Sequence, residues 1–142
     1  MRIVFLCSGN TCRSPMAEGI FKKMIIEGDL SFADSNGNIE VSSAGFSTYS
    51  GEEIAEYAIY ACKPHGIDLS DYRTTNISDI DFDDVDLVLT ATVENREKIR
   101  RFYPDGDKFI LIFASVLAVI GIATLYRLDK MLAIKQLIWV TL

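Results

Sequence analysis

Residues 2–28 read RIVFLCSGNTCRSPMAEGIFKKMIIEG, and the order of residue types within them decides the fold. RIVFL is β-branched and aromatic with no polar alternation, the pattern of a strand covered on both faces. A short loop follows at 7–13. Ser14-Pro15 then reads as the N-cap and first residue of a helix, with Glu18 in its first turn. Met16, Ile20, Phe21 and Met24 fall on one face of that helix, and Gly28 is placed to end it. A strand that enters a helix through a tight loop turns converging backbone N–H groups and a positive dipole end toward whatever occupies the loop. That is a cradle for an anion. Gly9 is expected to let the backbone turn without a Cβ clash, and Asn10 to accept a left-handed conformation. Arg13 can close the ring with two parallel N–H bonds to phosphate oxygens. Cys7 would lie beneath the phosphorus, among donors that favour the thiolate, the nucleophilic form of cysteine.

Other readings of CSGNTCRS fit less well. Zinc needs about four ligands, and Cys7 and Cys12 have only the distant Cys62 and His65 to join them, so no metal is expected. A nucleotide-binding loop of the Walker type would need a lysine and a second glycine, which this loop lacks. Two core cysteines would not carry Arg13 and Asn10 beside them without partners.

The chain has 142 residues, 49% of them hydrophobic, which suits one globular domain spanning 1–142. A net charge of −6, with acidic residues spread from position 27 to 107, provides no basic stripe and argues against nucleic acid as a partner. Three cysteines are an odd number and Met1-Arg2 runs directly into the first strand, so a reducing cytoplasmic setting is the expectation.

Further along, 29–38 is polar and turn-rich, IEVSSAG (39–45) reads as a second strand, and FSTYSG (46–51) as the loop after it. Ile54, Ala58 and Ala61 recur at helical spacing up to a stop near Pro64-His65-Gly66. DVDLVLT (84–90) is another strand, VENREKIRRFY (93–103) a helix, and PDGD (104–107) a turn. Strands alternating with helices imply an α/β fold with a parallel sheet, and ligands in such sheets sit beyond the carboxyl ends of the strands, where the loop lies.

VFLCSGNTCRSPMAE, with SSAG (42–45), HGIDLS (65–70) and DLVL (86–89) following in order, resembles the low-molecular-weight protein tyrosine phosphatase family over residues 1–108. The resemblance implies a Rossmann-like three-layer fold around a central, mostly parallel four-stranded sheet, a phosphocysteine intermediate, and neither metal nor cofactor. It assigns Cys7 as nucleophile, Arg13 as phosphate ligand and transition-state stabiliser, and Ser14 as hydroxyl donor to the thiolate. Ser8, Gly9, Thr11 and Cys12 complete the phosphate loop, while Asn10, Ser43 and His65 match the network that holds it in shape. Cys12 also matches the second cysteine that traps an oxidised nucleophile as a reversible disulfide. Tyr49 lies in the loop that walls the substrate cleft in the family. The implied partner is a phosphorylated protein bearing phosphotyrosine; Thr11, where many members have a bulky aliphatic residue, and Thr92 resemble the bacterial branch that acts on phosphoarginine.

The resemblance breaks toward the end of the chain. Family members carry a late Asp-Pro whose aspartate protonates the leaving oxygen; here no Asp-Pro exists, Thr124 falls at the place of the acid and Tyr126 at that of the following aromatic residue. Threonine cannot serve as the acid, and Asp129, the one carboxylate after Asp107, is the substitute on offer, so the expectation is an enzyme slowed by loss of its general acid, with a phosphate-binding module of weak catalysis as the alternative. Residues 113–124 are apolar and patternless where the family has a polar loop, as an altered reading frame would produce. Leu128, Leu132, Ile134 and Leu137 could form a closing helix. The uncharged run 109–125 touches the lower edge of a membrane span, but it is short, lacks flanking aromatic belts and contains Ser115 and Gly121. Its first residues, FILI (109–112), coincide with the family's fourth core strand, so the run is not read as a membrane segment.

Overall fold

The computed structural model describes residues 1–28 and 39–103 with their side chains, and 109–112 as backbone. The first strand, β1 (Arg2–Cys7), leads through the loop into α1 (Arg13–Glu27); β2 (Glu40–Gly45), α2 (Glu56–Cys62), β3 (Leu87–Thr90), α3 (Val93–Phe102) and β4 (Phe109–Ile112) follow. The strands pair in the order β2-β1-β3-β4, each pair parallel. This is the α/β class with a parallel sheet that the sequence predicts. The chain moves to one side of β1 to form β2 and to the other side to form β3, so the carboxyl end of β1 is a topological switch point.

The unbroken apolar run of β1 has a direct cause. Ile3, Phe5 and Cys7 face α1 together with Val41, Leu89 and Ala91, while Val4 and Leu6 face the opposite layer with Ala44, Phe82, Val85, Val88 and Ile99. Both faces are covered, so both sets of alternate positions must be apolar. Ala17, Phe21 and Ile25 of α1 pack on the first layer, with Phe5 and Phe21 edge to face at 5.8 Å between ring centres.

Several local expectations are corrected. Helix α1 starts at Arg13, so Cys12 is its N-cap and makes no side-chain cap bond. Ser14 and Pro15 lie inside the first turn, where the missing N–H of proline removes no helical bond. Glu18 falls beyond the first turn and is buried, bonded by Lys22 Nζ at 2.6 Å. Ile20 is 44% exposed, because the helix faces the sheet through Ala17, Phe21 and Ile25 and a third cluster through Met16. Gly28 does end the helix, left-handed at φ 73°.

Helix α2 begins at Glu56, after Ile54, and buries Ala58 and Cys62, an i, i+4 pair that leaves Ala61 exposed. Strand β3 starts three residues later than DVDLVLT suggests. Phe82–Asp84 is a 3₁₀ turn capped by Asp81, and Asp86 joins β1 just ahead of the strand, its carboxylate accepting from the Arg2 amide at 2.7 Å and its own amide donating to the Arg2 carbonyl at 2.9 Å. Thr92 is the N-cap of α3, its hydroxyl accepting from the Asn95 amide at 3.1 Å. Among the described residues no helix is long and apolar enough to cross a membrane. The rest of the apolar run after 112, the turn at 104–107, the segment 29–38 and the expected closing helix lie outside the described residues.

Candidate active site

Alternation along β1 places Cys7 on the α1 side at the last position of the strand, 2% exposed. Its sulfur accepts from the Asn10 amide at 3.2 Å and lies 2.9 Å from Ser14 Oγ. Asn10 sits at φ 50°, the one left-handed residue other than glycine among the described residues, and is fully buried. Every polar atom of its amide is used: Nδ2 donates to Ser14 Oγ and to Ser43 Oγ, both at 2.9 Å, and Oδ1 accepts from the Thr75 amide at 2.7 Å. With one lone pair of Ser14 Oγ taken by Asn10, the serine proton is free to point at Cys7. Both contacts to the sulfur are then of the kind that a thiolate accepts.

Ser14 does not take the capping position suggested by its place before proline; it lies inside the first turn with its hydroxyl against the Cys7 sulfur. Gly9 does not have a left-handed conformation, and a Cβ there would meet only Thr11 Oγ1, at an ordinary 3.6 Å. The close approach is at Gly45, where a Cβ would lie 2.8 Å from the Asn10 amide nitrogen and 2.9 Å from the Gly9 carbonyl carbon. The glycine of SSAG lets β2 touch the back of the cradle.

The segments after β2 clamp the loop from one side. The Phe46 and Ser47 amides donate to the carbonyls of Cys7 and Ser8, and the Ala55 amide donates to that of Thr11. Tyr49 stands 81% exposed on this clamp, its carbonyl accepting from Thr74 Oγ1 at 2.5 Å. Ser8 is exposed, and Thr11 and Cys12 are partly so. Arg13 is exposed at the first position of α1 and makes no ion pair among the described residues, so its guanidinium is available to a ligand.

His65 is not part of this network. It is exposed on the 3₁₀ turn Lys63–His65, and its carbonyl accepts from Lys23 Nζ at 2.5 Å. The Thr75 amide supplies the remaining bond to Asn10, a residue that carried no recognisable signal in the sequence because the bond uses its backbone. All three cysteines are free thiols. Cys62 is buried at the end of α2, and burial first, then the negative charge that Cys12 can carry, push its thiol up. No group of three metal-ligating side chains occurs among the described residues. Thr124, Tyr126 and the candidate acid Asp129 lie outside the described residues.

A buried cysteine at the switch point of a parallel sheet, with the Asn10 amide and the Ser14 hydroxyl on its sulfur and the start of α1 beside it, defines an α/β protein with a cysteine loop at a helix N-terminus. The family follows from comparison. The model described as low molecular weight phosphotyrosine protein phosphatase matches residues 2–117, and the chain belongs to that family. A low molecular weight phosphotyrosine protein phosphatase of Saccharomyces cerevisiae is 32% identical over 107 residues, covering 75% of this chain and 63% of that protein. A protein-arginine-phosphatase of Geobacillus stearothermophilus is 31% identical over 105 residues, 74% of this chain and 64% of the relative. A solved structure of the YwlE arginine phosphatase, a C7S mutant with a phosphorylated active-site serine, superposes with a TM-score of 0.68 at 28% identity, over 79% of this chain and 68% of that one. The chain thus spans somewhat less than two thirds of the length of these two curated relatives.

Proposed function

We propose that the protein is a cysteine-dependent phosphoprotein phosphatase, of the tyrosine-specific kind, working as one domain in the cytoplasm. The observation that carries this reading is Cys7 Sγ, held between the Asn10 amide at 3.2 Å and Ser14 Oγ at 2.9 Å at the mouth of a helix N-terminus. In the first step the Cys7 thiolate attacks phosphorus, the S–P bond forms and the P–O bond to the leaving group breaks. Arg13 and the loop amides bind the phosphoryl oxygens as their charge redistributes. Ser14 holds the sulfur as thiolate before attack and after its release. In the second step water attacks the phosphocysteine, releasing phosphate and restoring Cys7. Asp129 is the candidate to protonate the leaving oxygen and later to activate the water. Tyr49 is proposed to stack against an aromatic substrate, and Cys12 to trap oxidised Cys7 as a disulfide.

A pre-steady-state burst with p-nitrophenyl phosphate, wild type against Cys7→Ser, tests this. The expected result is a stoichiometric burst in the wild type and none in the variant; a folded wild type with no Cys7-dependent release would leave only a phosphate-binding module. Replacing Asp129 by Asn separates the acid. If Asp129 acts, turnover of phosphotyrosine falls by about 10² to 10⁴ while p-nitrophenyl phosphate, whose leaving group needs little help, falls far less.

A second reading concerns the substrate. Thr11, a small polar residue where many members of the family have a bulky aliphatic one, and the arginine-specific relatives favour phosphoarginine. Parallel assays on phosphotyrosine and phosphoarginine peptides decide between them, and Thr11→Ile is expected to depress phosphoarginine turnover selectively.

A further inference from the structure

On the face of the sheet opposite α1, a hollow of about 430 Å³ runs between the end of β2 and the last turns of α3, lined by Phe46, Ser47, Ile77, Lys98, Arg101 and Phe102. Phe46 and Ile77 cover the core at its floor and are only partly buried. Phe102 stands 67% exposed with its ring stacked on Phe46, 6.5 Å between centres, and Lys98 Nζ lies 6.0 Å from the centre of the Phe46 ring. Three apolar side chains thus share one hollow with two cations. Lys98 is matched by Glu94 at 2.7 Å, an exposed pair of small worth. Arg101 makes no ion pair among the described residues. Asp79, on the same 3₁₀ turn as Ile77, is engaged by the Ser50 hydroxyl. A cation in the last turn suits the helix dipole, but Arg100 serves that end equally and does not line the hollow.

The hollow is continuous with the cysteine loop. Phe46 and Ser47 line it, while their amides hold the carbonyls of Cys7 and Ser8. We propose that it docks the stretch of polypeptide next to the phosphorylated residue, selecting an acidic side chain, paired with Arg101, beside an aliphatic or aromatic one laid between Phe46 and Phe102. The assignment rests on the phosphatase reading of Cys7 and names the substrate class of that same site. Removing the apolar walls from water supplies attraction. The guanidinium supplies direction, because its pairing with a carboxylate has a fixed geometry and strengthens where neighbouring rings exclude water. The chain carries a net charge of −6, so an acidic segment is repelled by most of the surface, and the basic end of α3 is a local exception.

The test compares two phosphotyrosine peptides of equal length on the whole protein, one with Glu and Leu on both flanks, the other with Lys and Gly at the same positions. The first is expected to have the higher kcat/KM by about tenfold, the scale of one charge-assisted hydrogen bond, and to lose that lead as salt is raised. Arg101→Glu is expected to abolish the preference, and Phe102→Ser to weaken it by about threefold through lost apolar contact. Both variants should turn over p-nitrophenyl phosphate, which has no flanking residues, at the wild-type rate. Fluorescence anisotropy of the labelled peptides on Cys7→Ser protein reads the same preference as an affinity. Absence of turnover therefore counts against the phosphatase reading alone, while the affinities still judge the docking surface. Equal use and equal binding of the two peptides, or a preference that both variants retain, overturns the proposal. So does a dimer that Arg101→Glu dissociates with no change in peptide preference, which would give the hollow to a second copy of the chain.

Discussion

Gly45 and Asn10 are in backbone contact across two elements: a methyl group on Gly45 would lie 2.8 Å from the Asn10 amide nitrogen, the same amide that donates to Cys7 Sγ. The shape of the cradle therefore depends on a strand that contributes no atom to the ligand ring. Gly45→Ala is expected to push the loop outward, lowering kcat/KM on p-nitrophenyl phosphate at least tenfold. Overpacking of this kind costs about 1–3 kcal/mol, which a shift in Tm reports. Unchanged kinetics and an unchanged Tm would mean that β2 yields without moving the loop.

Asn10 holds the loop through three side-chain hydrogen bonds and a left-handed backbone. Asn10→Ala leaves Ser43, Ser14 and the Thr75 amide without that partner, and each buried polar group left unsatisfied costs about 1–3 kcal/mol. Asn10→Asp keeps the shape and the acceptor but puts a negative charge near Cys7. Iodoacetamide labelling of Cys7 at neutral pH is expected to slow more in Asn10→Asp than in Asn10→Ala, since like charges oppose the thiolate. The reverse order would show that shape alone governs the sulfur.

Ser14→Ala tests the hydroxyl 2.9 Å from Cys7 Sγ. A hydrogen bond to a charged group contributes about 1.5–3 kcal/mol, so Cys7 alkylation at pH 7 is expected to slow about 10- to 100-fold while the helix survives. Ser14→Thr, which keeps the hydroxyl, should recover part of the rate. Equal rates in wild type and Ser14→Ala would remove Ser14 from the mechanism.

Stability is expected to fall in alkaline solution. The Cys62 thiol is pushed up by burial and then by Cys12, and Tyr72 by burial and then by the Glu18 charge. Lys22 is pulled down by burial, but its hydrogen bond and charge interaction with Glu18 outweigh this and raise it overall. All three hold their protons more tightly when folded. Their contribution is complete below the ordinary values of 9.0, 10.0 and 10.5 and is lost as pH rises through the higher folded values. Urea midpoints measured from pH 8 to 11 should decline above about pH 9, with a shallower decline in Cys62→Ala. A midpoint that rises over that range would contradict the assignment.

Thr92 caps α3 through its hydroxyl bond to the Asn95 amide at 3.1 Å. Thr92→Ala is expected to cost about 1 kcal/mol, and Thr92→Asp to restore it, because a carboxylate suits both the cap and the helix dipole. Thermal melts of the two variants provide the comparison.

What the sequence by itself determined is the local grammar of the site. RIVFL had to be a strand covered on both faces, CSGNTCR a tight loop and the stretch from Ser14-Pro15 to Gly28 a helix, because apolar periodicity, proline and glycine act over a few residues; the start of that helix at Arg13 was decided by the structure. From that alone followed the cradle, the place of Cys7 at its base and the left-handed Asn10. Only the tertiary structure decided how the cradle is held. The partners of Asn10 stand 33 and 65 positions away, at Ser43 and Thr75, and one of them contributes a backbone amide that any residue type would offer. The same holds for Gly45, whose need for a bare Cα arises from contact with another element, and for Ser14, whose hydroxyl chose Cys7 over the helix end. His65 shows the converse: a matching sequence neighbourhood placed it in the network, while the turn at the end of α2 carries it to the surface. Hydrogen bonds between distant segments depend on how the layers pack, and packing leaves no periodic trace along the chain.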